Sequence, residues 1–183
     1  MPDKPQVLIT NIRQRAAEGL SIGDHFTITR CFSPEDIASF ATISRDYNPI
    51  HCDNHFAKLK GVREPIAHGL LTASLITEIG GQIGWLASGM SFKFKRPVYA
   101  NETLTCNWII QEIDEERRAR AEISVNNGDG VTVLEAEITG VLPNDDERQR
   151  LATMLNEGDP TNGAKNLLPP HAGVSEDTTP NLS

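Results

Sequence analysis

Between Gly69 and Phe92 the chain carries a single charged residue, Glu78. A run that long and that poor in charge has to be buried, either in lipid or in a protein core. Thr72, Ser74, Thr77, Gln82 and the glycines Gly80, Gly81 and Gly84 make it a poor bilayer segment. It is read as a helix, opening near Ile66-Ala67-His68-Gly69, around which a soluble domain closes. Directly upstream lies a polar loop, Ser44-Arg45-Asp46-Tyr47-Asn48-Pro49-Ile50-His51-Cys52-Asp53. It sets a carboxylate (Asp46) and an imidazole (His51) close together in sequence.

The approach to that loop is well specified. Ser33-Pro34-Glu35-Asp36 is a helix start: Ser33 can cap, proline suits the first helical position, and acidic side chains favour the first turn. Ile37, Phe40 and Ala41 follow at helical spacing. The helix must stop before Pro49, because the residue preceding a proline is pushed out of helical geometry. Asp46 and His51 therefore leave a fixed helix end. Two proton-transfer groups that can reach one water, with a proline between them, suit general acid–base chemistry. A turn aspartate and a structural histidine would look the same at this level. Asn48 also has an ordinary role, since Asn-Pro initiates turns.

The rest of the chain frames these two stretches. His25 to Arg30 alternates as a half-buried strand, and four further alternating runs follow the long helix: Met90–Phe94, Leu104–Ile110, Ala119–Val125 and Val131–Val141. Helices followed by consecutive strands predict the α+β class, an antiparallel sheet with helices on one side. Asp53 can cap a short helix through Phe56, Ala57 and Leu59. A weak helical pattern runs from Ile9 to Leu20. Beyond Pro143 there is no aromatic residue, and from Gly158 onward the composition cannot bury a core. The expected division is an extension over 1–20, one domain over 21–142 and a polar, disordered tail over 143–183, in which 145–156 can form a short polar helix.

A net charge of −8 disfavours nucleic acid, which demands a basic face. The three cysteines, Cys31, Cys52 and Cys106, have no CxxC spacing and an odd count, so neither a disulfide framework nor a zinc site is indicated. Reduced thiols in a cytoplasmic setting are the expectation, as is the absence of any membrane span.

Two linked blocks carry a resemblance. Asp46-Tyr47-Asn48-Pro49-Ile50-His51-Cys52-Asp53 with Phe56-Ala57, and then Pro65-Ile66-Ala67-His68-Gly69-Leu70-Leu71-Thr72-Ala73-Ser74, resemble the MaoC-like (R)-specific enoyl-CoA hydratases of the hot dog fold. Ser91 to Tyr99 is similar to that family's next strand and turn. The resemblance covers roughly residues 21–142. It implies a single hot dog, an antiparallel sheet wrapped around a long central helix, pairing edge to edge as a homodimer.

It also implies reversible syn hydration of trans-2-enoyl-CoA to (R)-3-hydroxyacyl-CoA, with an acyl-CoA thioester as substrate and no metal or redox cofactor. Asp46 and His51 would hold one water between them. A backbone N–H at Gly69 would serve the oxyanion, and the free N–H groups of a helix start suit that purpose. Asn48 and His68 would support the loop, and Thr77 would be the family's helper hydroxyl. One position departs from the pattern: glycine usually precedes the aspartate, and here it is Arg45. Either the loop differs slightly or Arg45 reaches the pocket mouth or the CoA phosphates.

Three other readings remain open from the sequence. A 3-hydroxyacyl-ACP dehydratase would differ only in the carrier. A hot dog thioesterase would place its acid on the long helix, where Glu78 is the one candidate. A non-catalytic acyl-CoA binding module would keep the fold alone. Lys58, Lys60, Arg63, Lys93, Lys95 and Arg96 are the basic residues that could meet an anionic carrier, with nothing to choose among them.

Overall fold

The computed structural model describes residues 12–158. In chain order these form α1 (Ile12–Glu18), β1 (His25–Cys31), α2 (Pro34–Ser44), a 3₁₀ turn (Pro49–His51), α3 (Asn54–Leu59), α4 (Gly69–Ile83), β2 (Leu86–Phe94), β3 (Thr103–Ile113), β4 (Arg118–Asn127), β5 (Thr132–Val141) and α5 (Asp145–Asn156). The strands make one antiparallel sheet in the order β1-β3-β4-β5-β2. Helix α4 crosses it, burying Leu71, Leu75, Ile76, Ile79 and Ile83. This is the α+β hot dog arrangement, a sheet wrapped around a central helix.

Register explains why the sheet curls on this helix. Phe26 pairs with Trp108, Trp108 with Ile123, Ile123 with Ala136 and Ala136 with Phe92. A second row runs Ile28, Cys106, Val125, Leu134, Phe94. Each row lies on one face because side chains alternate along a strand. Their central members are buried, apart from the half-buried Ala136, and burial fades at the β2 edge, where Phe92 is half-buried and Phe94 55% exposed. The other face is polar, with Arg120 ion-paired to Glu112, Glu122 and Glu137.

The helix starts behave as local chemistry dictates. Ser33 accepts from the Asp36 N–H at 3.2 Å while the Asp36 carboxylate accepts from the Ser33 N–H at 2.8 Å, a complete capping box. Asp53 caps α3 through the Phe56 N–H. The expected boundaries at residues 20 and 143 are not where packing begins and ends. α5 opens on a second capping box, Asn144 with Glu147, and Leu151 joins Ile12 and Ala16 of α1 in the core. One buried leucine is too thin an apolar stripe to stand out in a polar helix. The left-handed turn at Gly84 seats Leu151 and Pro143 against the end of α4. The remainder of the expected tail, residues 159–183, and the start of the N-terminal pattern lie outside the described residues. Among the described residues no helix is long and apolar enough to cross a membrane.

Candidate active site

α2 ends at Ser44, and Arg45 takes a left-handed conformation, φ 59°, ψ 21°. The loop keeps the backbone that a glycine would take here, and arginine tolerates it. Short bonds then fold the chain back on itself. The Asn48 N–H donates to Asp46 Oδ1 at 3.2 Å, and the Ile50 N–H to Asn48 Oδ1 at 3.2 Å. Asn48 thus caps the 3₁₀ turn that presents His51.

His51 is held across the fold. Its Nδ1 lies 2.8 Å from the Ile66 carbonyl oxygen, which can only accept, so Nδ1 carries a proton and, in the neutral ring, Nε2 presents a lone pair. The Ile66 N–H returns the contact to the Ile50 carbonyl at 3.2 Å. His51 Nε2 stands 3.8 Å from Asp46 Oδ2, with the His51 side chain only 11% and the Asp46 side chain 50% exposed. One water oxygen at ~2.8 Å from each atom fits that gap.

His68 closes the arrangement from the start of α4. Its Nε2 donates to the Asp46 backbone carbonyl at 3.0 Å. The ring stacks on His51 with centroids 3.8 Å apart and packs on Phe40 at 5.0 Å. Gly69 follows as the first residue of α4. A β-carbon there would sit 2.8 Å from the Phe94 ring, so no side chain larger than hydrogen fits without moving that ring.

Asp46, His51, His68, Gly69 and Thr72 line one cavity of about 620 Å³, whose wall includes Phe40, Val62, Leu70, Phe94 and Val133. Lys95 and Arg96 are the two of the six open basic residues that line it. Lys95 is paired with Glu135 at 3.2 Å, and the Arg96 guanidinium donates to the Lys95 carbonyl at 2.7 Å. Donor atoms of Asp46, His51 and His68 lie within 4.8 Å of one another, as a cation site would need. Each imidazole, however, spends one nitrogen on a backbone carbonyl.

Two expected participants stand elsewhere. Thr77 is exposed, does not line the cavity, and donates its hydroxyl to the Ser74 carbonyl at 2.7 Å. Arg45 does not line the cavity either. Thr72, which sequence reasoning passed over, does. Helical spacing carries the signal, since residues three and four apart share a face and Thr72 follows His68 and Gly69 by four and three.

A family model for the MaoC-like domain matches residues 16–134. The chain belongs to the MaoC-like hydratase and dehydratase family. Among curated MaoC-like relatives, the (R)-specific enoyl-CoA hydratase of Aeromonas caviae is 32% identical over 106 residues, 56% of this chain and 79% of that protein. The 3-hydroxybutyryl-CoA dehydratase of Methylorubrum extorquens is 31% identical over 82% of this chain and 99% of its own length. A mitochondrial 3-hydroxyacyl-[acyl-carrier-protein] dehydratase of Arabidopsis thaliana is 30% identical over 72% of this chain and 82% of its own. In structure, the A. caviae (R)-hydratase superimposes with a TM-score of 0.64 at 29% identity, over 69% of this chain and 99% of that one. This MaoC-like protein is thus a hydro-lyase with the hot dog fold.

Proposed function

We propose that the protein catalyses reversible, (R)-specific syn hydration of trans-2-enoyl-CoA thioesters, with Asp46 and His51 as its acid–base pair. The observation that carries this reading is the 3.8 Å separation of His51 Nε2 and Asp46 Oδ2, with the imidazole pinned so that its lone pair faces the cavity. In the hydration direction the water oxygen attacks the β-carbon and its proton goes to Nε2. The imidazolium passes that proton to the neighbouring Asp46 carboxylate, which delivers it to the α-carbon on the same face, so hydroxyl and hydrogen add syn and both groups return to their starting state. Negative charge developing on the thioester oxygen is met by the Gly69 N–H, free at the helix start and favoured by the helix dipole. Proton transfer and these donors supply what the reaction needs, so the reading calls for no metal or redox cofactor.

The thioesterase alternative loses its acid. Glu78 is held by the Arg30 guanidinium, with Nε 3.0 Å from one carboxylate oxygen, and does not line the cavity. The carrier-protein dehydratase remains the nearest rival, because the pocket chemistry is shared. Crotonyl-CoA mixed with purified protein should lose its enoyl-thioester absorbance and yield a product oxidised by an (R)-specific 3-hydroxyacyl-CoA dehydrogenase. CoA release without hydration would overturn the reading, and turnover confined to a crotonyl carrier protein would transfer it to the rival. Asp46→Asn and His51→Gln should each lower kcat by roughly 10²–10⁴ with the fold intact by circular dichroism. Unchanged kcat in either would remove that residue from the assignment.

A further inference from the structure

His68 and Thr72 stand one turn apart on the buried face of α4, 1% and 2% exposed. Two of their polar atoms, His68 Nδ1 and Thr72 Oγ1, are shielded from solvent and have no hydrogen-bond partner. The tautomer of His68 follows from its other nitrogen. Nε2 faces the Asp46 carbonyl oxygen at 3.0 Å and must carry the proton, so in the neutral ring Nδ1 is an acceptor. The threonine hydroxyl has a proton to give. In a helix such a hydroxyl commonly turns back to the carbonyl four residues earlier, and Thr77 makes a bond of that local kind to Ser74. Thr72 does not. Leaving a buried donor and a buried acceptor both unpaired costs far more than turning one hydroxyl. Thr72 sits on the turn that follows His68: its N–H donates to the His68 carbonyl at 3.1 Å, and both side chains line the same cavity.

We infer that Thr72 is a positioning residue of the active site: its hydroxyl donates to Nδ1 of His68, directly or through one water, and locks the ring in the tautomer that holds the Asp46 carbonyl. The line of support then runs from α4 through Thr72 and His68 to the backbone of Asp46. Because the His68 ring stacks on His51 at 3.8 Å, the same lock sets the plane of the second imidazole. Nothing about Thr72 would touch the reacting atoms. Its effect passes through His68.

Replacement by the near-isosteric valine tests this, because the two possibilities differ in sign. A hydroxyl with no partner is a burden, and Thr72→Val would relieve it. A hydroxyl bonded to Nδ1 is support, and its loss strands the acceptor. The expected result is that Thr72→Val lowers Tm by roughly 2–6 °C and lowers kcat on crotonyl-CoA about tenfold with KM little changed. In ¹⁵N spectra of the ligand-free protein the His68 ring should lose its uniform Nε2–H signature. Thr72→Ser should restore all three. A Thr72→Val protein with unchanged or higher Tm, unchanged kcat and an unchanged His68 tautomer overturns the inference. The kinetic arm rests on the hydratase reading, whereas Tm and tautomer do not. A wild type without hydratase activity would remove that reading and leave the spectra to decide this one.

Discussion

Arg45 shows how a residue-scale departure is absorbed. The left-handed conformation costs a residue with a β-carbon ~1 kcal/mol, yet glycine would return a similar amount as extra freedom in the unfolded chain. Arg45→Gly should therefore shift Tm by less than about 2 °C, while the β-branched Arg45→Val should lower it by roughly 3–8 °C. Equal losses in both, read by thermal melts, would mean that the arginine side chain and not its backbone is what matters. Cys106 makes a second residue-scale case. Burial, with a smaller contribution from the Glu78 charge, pushes its thiol up from 9.0 to about 12. The folded protein keeps this proton after the unfolded chain has released it. Stability from the neutral thiol is complete below pH 9 and lost between 9 and about 12. Urea titrations from pH 9 to 11 should show wild type losing up to ~1.4 kcal/mol per pH unit more than Cys106→Ala. Parallel pH slopes would contradict the assignment.

At the scale of elements, α4 does two jobs with one sequence. Its apolar length is the core around which the sheet curls, and its first turn is the floor of the cavity. Gly69 is not required there by backbone conformation, since it is not among the glycines with positive φ. Space requires it. The Phe94 ring lies over it, and that ring is half-exposed at the sheet edge. Gly69→Ala should accordingly fold with Tm changed by only a few degrees, alanine being the better helix former by ~1 kcal/mol. Activity should fall at least about tenfold as the methyl group blocks close approach to the N–H. A collapse of Tm with residual activity per folded molecule intact would show that Gly69 serves packing alone.

For the whole molecule, the sheet stops where its inner-face rows do not. β2 pairs on one side only, with β5, and leaves Leu86, Met90 and Phe94 open to solvent. An unpaired strand edge beside apolar side chains invites a second copy. The cavity wall includes Phe94, so pairing there would extend the site toward the partner. The expected assembly is a homodimer through β2, seen by light scattering at micromolar concentration. Met90→Asp should shift it to monomer and reduce activity together. A wild type that runs as a monomer would refute the assembly.

The sequence alone determined what short-range chemistry controls. Ser33 and Asp36 start α2, Pro49 stops it, Asn48 caps the turn before His51, and strict alternation marks the strands, because each of these acts within a few residues. The pairing of Asp46 with His51 was legible for the same reason, together with the motif around it. Only the tertiary structure decided the contacts across longer loops. Ile66 pins the His51 ring, Asp46 receives His68, and Arg30 takes Glu78 out of the cavity. It also put Thr72 on the cavity wall and left Thr77 outside it, two helical turns beyond Gly69. Leu151 entered the core from a helix too polar to announce itself. Spacing in a sequence says which side chains share a face of one element. Which carbonyl or carboxylate waits opposite that face depends on how the sheet closes, and that is set by burial summed over the whole chain.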